Sequence, residues 1–309
     1  MSHTLHDAIA ASTETLDIVP LAGRIGAEVR GARLGSALPE AHFQQIHQAL
    51  LKHRVLFLRG QQHLDDAEHE AFARRFGPIE AHPTVPAPSG TRLLELDSQH
   101  GGRANSWHTD VTFRQAPPKI AVLRAVLIPP LGGDTVWANT VAAYEGLAPE
   151  IKALAERLWA VHGNDYDYAA HRQDEDSAAV AAARAAYREV FTRERYEAEH
   201  PVVHVHPETG EKALLLGHFL KRILGHSTHD GQHLFELLHA HVLRLENTVR
   251  WRWTTGDVAI WDNRATEHYA INDYGDAHRI VRRVTVSGDP LHAVDGARSR
   301  VRLQPAAAH

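Results

Sequence analysis

A β-rich domain with helices packed on its outside is the fold class this sequence predicts, and three observations predict it. Short apolar runs bounded by turn residues recur, as in Val55–Leu58, Ile120–Leu127 and 279–286, with the length of buried strands rather than helices. Helical spacing is confined to a few stretches set between them. Nothing repeats along the 309 residues and no Pro/Gly/Ser-rich linker divides them, so a single domain over 1–309 is the simplest organisation. A hydrophobic content of 43% is enough for a sizeable core.

Residues 1–15 are polar and read as a frayed start. From 16 to 34, apolar runs separated by Gly23, Gly26 and Gly31 read as opening strands joined by turns. Phe43, Ile46 and Leu50 have helical spacing within 38–54, and the Val55-Leu56-Phe57-Leu58 run behind them, closed by Arg59-Gly60, reads as a buried strand. Asp65 with Glu68 three residues on resembles a capping box, so a helix should run through Phe76 and stop at Gly77-Pro78. A Pro-rich loop over 82–89 precedes a short strand at 91–97. Ile120–Leu127 is another strand, and a Pro129-Pro130-Leu131-Gly132-Gly133-Asp134 turn leads into Thr135-Val136-Trp137. Helix is expected over 140–158 and again over 232–248. Strands are expected at 200–206, 249–253 and 258–261, with a final one at 279–286. Residues 163–189 change character: Asp, Ala and Arg dominate with little apolar periodicity, which reads as an insertion, either a mobile lid or a solvated helical excursion.

A net charge of -5 with scattered Lys and Arg points to neither nucleic acid nor an anionic membrane surface as partner. The absence of cysteine excludes disulfides, thiolate metal sites and a Cys nucleophile, and fits a reducing compartment. No run approaches the ~18 apolar residues of a membrane span, and the start lacks the basic and apolar regions of a signal peptide, so a cytoplasmic location is expected.

The chemistry centres on Trp107-His108-Thr109-Asp110-Val111-Thr112-Phe113. On an extended backbone His108 and Asp110 project to one side and can hold one metal ion. With a second imidazole from elsewhere they make the two-His-one-carboxylate set that leaves open positions on Fe(II). The triplet alone is weak, since 25 His and 38 acidic residues give about three such triplets by chance, and His63-Leu64-Asp65 and His206-Pro207-Glu208 are also present. The middle one is wrapped by Trp107, Val111 and Phe113, where an unpaired carboxylate would be costly to bury. His268, just past the end of the strand leading into Trp261-Asp262-Asn263-Arg264, is well placed as the third ligand. Arg279 and Arg283 share a strand face with Val281 between them and Thr285 beyond. Two inward guanidiniums need anions, so two anionic groups near the metal are inferred, each in a bidentate fork; a surface strand paired with Asp and Glu is the plain alternative. His204 and His206 also share a face, as ordinary strand histidines sooner than as a second metal site.

The series His108-x-Asp110, His268, Arg279 and Arg283, together with Gly132-Gly133-Asp134-Thr135 and Trp261-Asp262-Asn263-Arg264, closely resembles the taurine dioxygenase group of Fe(II)/2-oxoglutarate-dependent oxygenases, over about 20–288. Within it the nearest likeness is to the bacterial alkylsulfatase dioxygenases, through 81–86, 103–108 and 247–253. The resemblance implies a double-stranded β-helix, a cupin-like jelly roll, in a homodimer or homotetramer. It implies Fe(II) on His108, Asp110 and His268, with O2 and 2-oxoglutarate as co-substrates. Thr135 and Arg279 would hold the distal carboxylate of 2-oxoglutarate. Arg283, on the same cofactor-facing strand, would join His82 and the backbone N–H of Val111 in facing the oxyanion head of the substrate, with Phe219 as an aromatic wall. Where taurine dioxygenase places a Tyr and an Asn near the amine, this chain has Val85 and Ala104, which would leave an ammonium unpartnered at a cost of about 1 to 3 kcal/mol and would suit an aliphatic tail. The implied reaction hydroxylates the carbon next to the sulfate of an alkyl sulfate ester, giving aldehyde, sulfate, succinate and CO2. The same chemistry on taurine, other organosulfonates or aryloxyalkanoates is the alternative, and a metal-binding sensor or scaffold the non-enzymatic one.

Overall fold

The computed structural model describes residues 15–165 and 177–305. The frayed start expected for 1–15 lies, apart from Thr15, outside the described residues, as does the 166–176 part of the insertion.

The main sheet runs in the order Asp17–Pro20, Ala27–Arg30, Val55–Leu58, Val258–Asp262, Ile120–Leu127, Ile280–Val286 and Ile79–Glu80, with Leu94–Asp97 also pairing to Ile280–Val286. Its pairings are antiparallel except that between Ala27–Arg30 and Val55–Leu58. A smaller antiparallel sheet of Thr248–Trp251, Thr135–Asn139 and Thr266–Ala270 lies against it. Strand alternation decides which side chains meet between the two. Val55, Phe57, Leu123 and Trp261 point inward to Trp137, Val249 and Trp251, with Phe57 stacked on Trp251 at 4.3 Å. The alternate residues Leu56, Leu58, Val122 and Ile260 pack outward against the helices Glu40–His53 and Asp66–Arg74 through Phe43, Ile46, Leu50 and Phe72. Both faces are covered, so Val55–Leu58 is apolar without alternation. This is the jelly-roll sandwich expected.

The helix at Asp66–Arg74 is capped by Asp65, whose carboxylate accepts the Glu68 N–H at 2.8 Å. Glu68 does not close the box; its carboxylate accepts instead from the backbone and hydroxyl of Ser36. The helix expected over 140–158 is two, Thr140–Glu145 and Pro149–Ala155, because Gly146 ends the first and Pro149 is tolerated only in the first turn of the second. The helix expected over 232–248 starts earlier, at Thr228–Val242, since the Ser227 hydroxyl accepts the Asp230 N–H, and it stops before Leu245–Asn247 turns into the strand Thr248–Trp251. The 200–206 stretch belongs to two strands, Glu197–Pro201 and Val203–Val205, in different sheets. The strand Ile280–Val286 is not the last, since His292–Ala293 and Arg300–Leu303 follow. Of the 163–189 insertion, the described end is a regular helix, Ala178–Thr192, capped by Ser177. Among the described residues no helix is long and apolar enough to cross a membrane.

Candidate active site

His108 and Asp110 do converge, but not by strand alternation. His108 makes a lone bridge to His268, each backbone N–H donating to the other's carbonyl at 3.0 and 2.8 Å. The chain then turns through Asp110 into Val111, which sits at φ 56°, a left-handed conformation that is strained for a β-branched residue. His268 lies in the middle of its own strand, Thr266–Ala270, rather than just past the end of the preceding one. Asn263, in the turn between the two strands, holds Asp110 from both sides: its Oδ1 accepts the Asp110 N–H at 2.9 Å and its Nδ2 donates to the Asp110 carbonyl at 3.1 Å. The Thr109 hydroxyl donates to the Thr266 carbonyl at 2.9 Å.

Asp110 Oδ1 is 3.7 Å from His108 Nε2 and 3.8 Å from His268 Nε2, and one donor atom from each of the three residues falls within 4.8 Å of the others. Burial lowers the pKa of both imidazoles, which therefore sit neutral as metal ligation requires. The His108 Nδ1–H donates to the Ser106 carbonyl at 2.7 Å, which directs the Nε2 lone pair at the cluster. Asp110 Oδ2 is buried without a hydrogen-bond partner. A buried carboxylate oxygen left open beside two neutral imidazoles suits a divalent cation, and the N2O set fits iron. Among the described residues no other His/Asp/Glu group of three converges in this way. His63 bonds the Leu34 carbonyl, and His206 pairs with Asp262 at 2.9 Å, so the other triplets serve the fold.

Arg279 and Arg283 are 4% and 6% exposed, which removes the surface-strand alternative. Their anions differ from the two external groups inferred above. Arg283 donates to Asp110 Oδ1, so its partner in the protein is the triad carboxylate itself. Arg279 donates through Nε to the Gly133 carbonyl at 3.2 Å and meets no carboxylate at ion-pairing distance among the described residues. A buried guanidinium in that state is an open anion site. The Gly132-Gly133 turn makes room for it. Both glycines have positive φ, and a Cβ on Gly133 would stand 3.0 Å from Arg279 Cδ. Thr135, which opens the next strand, is buried, and its Oγ accepts from Trp253 Nε1 at 3.0 Å, leaving the hydroxyl proton to donate.

Next to the triad is a cavity walled in part by His82, Ala104, His108 and Arg283. Val85, Ala104, Val111 and Phe219 fall in one apolar cluster around it. Phe219 stands edge-on to the His108 ring at 6.2 Å. His82 Nδ1 accepts the Val85 N–H at 3.1 Å, so the proton sits on Nε2. Burial, and after it the Arg283 charge, push the His82 pKa down to about 3, making it a neutral donor. Phe113, expected to wrap the triplet, lies in the same cluster; sequence reasoning missed Tyr187 and Phe191 there, and Arg103 in the cavity wall. Tyr187 and Phe191 come from the Ala178–Thr192 helix, where Val180, Arg184, Tyr187 and Phe191 recur at helical spacing, a signal hidden among alanines.

The chain matches the Taurine catabolism dioxygenase TauD, TfdA family over residues 17–285. It is 58% identical over 294 residues to an alpha-ketoglutarate-dependent sulfate ester dioxygenase of Pseudomonas putida, covering 95% of this chain and 96% of that protein. It is 54% identical over 292 residues to an alkylsulfatase of Acinetobacter baylyi, covering 94% and 91%. A crystal structure of a taurine dioxygenase from Burkholderia xenovorans superposes with a TM-score of 0.78 at 36% identity, covering 94% of this chain and 96% of that one.

Proposed function

The chain belongs to the taurine catabolism dioxygenase family, and on that premise we propose that it is an Fe(II)/2-oxoglutarate-dependent dioxygenase of alkyl sulfate esters. The observation that carries the proposal is a His-Asp-His cluster beside a cavity with an apolar wall, with the buried Arg279, which meets no carboxylate among the described residues, four residues before the Arg283 that bonds the triad. Iron with 2-oxoglutarate and dioxygen supplies the oxidation: one oxygen atom ends in succinate, with loss of CO2, and the other enters the C–H bond beside the sulfate ester. The hydroxylated carbon expels sulfate as the C–O bond breaks and the hydroxyl proton leaves, giving an aldehyde.

His108, Asp110 and His268 would hold the metal, and Thr135 and Arg279 the distal carboxylate of 2-oxoglutarate. The His82 Nε2–H, the Val111 N–H and Arg283 would hold the sulfate, with Arg283 shared between that anion and Asp110. Val85, Ala104, Phe191 and Phe219 would enclose the tail and exclude water. Each buried methylene contributes about 0.8 kcal/mol, so the five further carbons of a hexyl tail add up to about 4 kcal/mol that a methyl ester lacks. With Fe(II), 2-oxoglutarate and hexyl or 2-ethylhexyl sulfate, we expect succinate and sulfate to be released one for one. Consumption of taurine with no turnover of these esters would reassign the substrate, and absence of oxygen uptake with all of them would favour a sensor or scaffold. A single domain over 1–309, a homodimer or homotetramer and a cytoplasmic location belong to the same proposal, supported by family likeness; light scattering tests the assembly.

A further inference from the structure

Arg103 is 5% exposed, and among the described residues no carboxylate lies at ion-pairing distance from it. It belongs to the wall of the substrate cavity, where a cation would ordinarily be assigned to the substrate's anion. Its bonds run the other way. Nη1 donates to Asn272 Oδ1 at 2.5 Å, Nη2 donates to the Gly275 carbonyl at 2.7 Å, and the guanidinium lies 4.6 Å from the centre of the Tyr274 ring between them. That loop is in turn fastened to the Gly132-Gly133 turn. Asp273 Oδ1 accepts the Gly133 N–H at 2.7 Å, Ile271 N–H donates to the Asp134 carbonyl at 2.8 Å, and Tyr274 Cδ1 stands 3.3 Å from where a Gly133 Cβ would be. Gly133 supplies the carbonyl that fixes Arg279.

The geometry points to Arg103 as a positioning residue for the co-substrate: it pins the 272–275 loop onto Gly132-Gly133 and so holds Arg279 at the angle that meets the distal carboxylate of 2-oxoglutarate. The inference rests on the proposed co-substrate site. A two-point grip on neutral acceptors needs the planar fork, which lysine cannot reproduce although it keeps the charge.

The test measures how much 2-oxoglutarate raises the melting temperature in the presence of Mn(II), where nothing turns over, together with KM for hexyl sulfate in the iron-loaded enzyme. Arg103→Lys and Arg103→Met are both expected to weaken 2-oxoglutarate about tenfold, a larger change than either makes in KM for hexyl sulfate. A lysine variant that binds 2-oxoglutarate like the parent, with a methionine variant that loses hexyl sulfate, would overturn the proposal in favour of plain charge attraction to the substrate. So would two variants that both bind 2-oxoglutarate normally. Asp273→Ala cuts the loop's far attachment and should show the same 2-oxoglutarate loss, which keeps the test open if the Arg103 variants fail to fold; normal binding there also overturns the inference. If the unaltered protein is not stabilised by 2-oxoglutarate at all, the co-substrate site itself is wrong, an outcome distinct from failure of the Arg103 role.

Discussion

The metal side and the tail side of the cavity are held together by opposite means. On the metal side the backbone of each ligand is fixed by directional bonds: His108 and His268 pair backbone to backbone, Asn263 grips Asp110 at both its N–H and its carbonyl, and Thr109 reaches across to Thr266. On the tail side Val85, Ala104, Phe191 and Phe219 arrive from four separate stretches and meet through apolar and ring contacts. On the proposed function the contrast follows from what each side must do. Metal ligation and oxidation at one carbon need aim within a fraction of an ångström, which hydrogen bonds provide. Keeping a hydrocarbon chain from water is non-directional and scales with area, so apolar packing suffices and can be retuned.

The largest effects should therefore come from the metal side. His268→Ala or Asp110→Ala is expected to abolish metal uptake and to lower succinate release at least about a thousandfold. Metal content and turnover measured together check this, and a variant that keeps both would dissolve the distinction between the two sides. Next comes Arg279→Ala, expected to raise KM for 2-oxoglutarate about a hundredfold, the scale of a lost charge-assisted pair, with a smaller change for the sulfate ester. An equal rise for both substrates would mean that Arg279 serves the cavity as a whole.

The same contrast explains what could be read in advance. Burial of the 279–286 face and its two arginines follows from strand periodicity and the cost of a solitary charge, both visible in residue order. The jelly-roll core is legible for the same reason, because Val55–Leu58 and Ile120–Leu127 are too apolar for anything but strands covered on both faces. The bridge between His108 and His268 and the double grip of Asn263 on Asp110 are contacts across more than 150 residues, and no local pattern encodes them or the left-handed Val111 that lies beside them. The tail wall was harder still. In the Ala178–Thr192 helix only Val180, Arg184 and Phe191 are buried, so its one packed face is sparse and its alanines blur the period.

On the tail side, Ala104→Phe places a ring in the cavity wall. Turnover of hexyl sulfate should fall about tenfold in kcat/KM while a short ester such as ethyl sulfate is little affected, because steric loss in an apolar pocket is felt only by the part of the chain that reaches it. An equal loss for both esters would place Ala104 against the sulfate end.

The smallest and most diagnostic change is Phe191→Leu. Phe191 is buried, lies parallel to Phe219 at 6.2 Å and belongs to the Ala178–Thr192 helix, outside the segments that carry the triad. Replacing the ring removes apolar contact worth about 1 kcal/mol, the same before and after the C–H bond is attacked, so KM for hexyl sulfate should rise about fivefold at unchanged kcat. Ethyl sulfate should be indifferent, and the melting-temperature gain from 2-oxoglutarate with Mn(II) should be that of the parent. If kcat falls while KM holds, Phe191 helps to aim the substrate carbon, and the packing of the tail side would then be part of the positioning that the hydrogen bonds of the metal side otherwise provide.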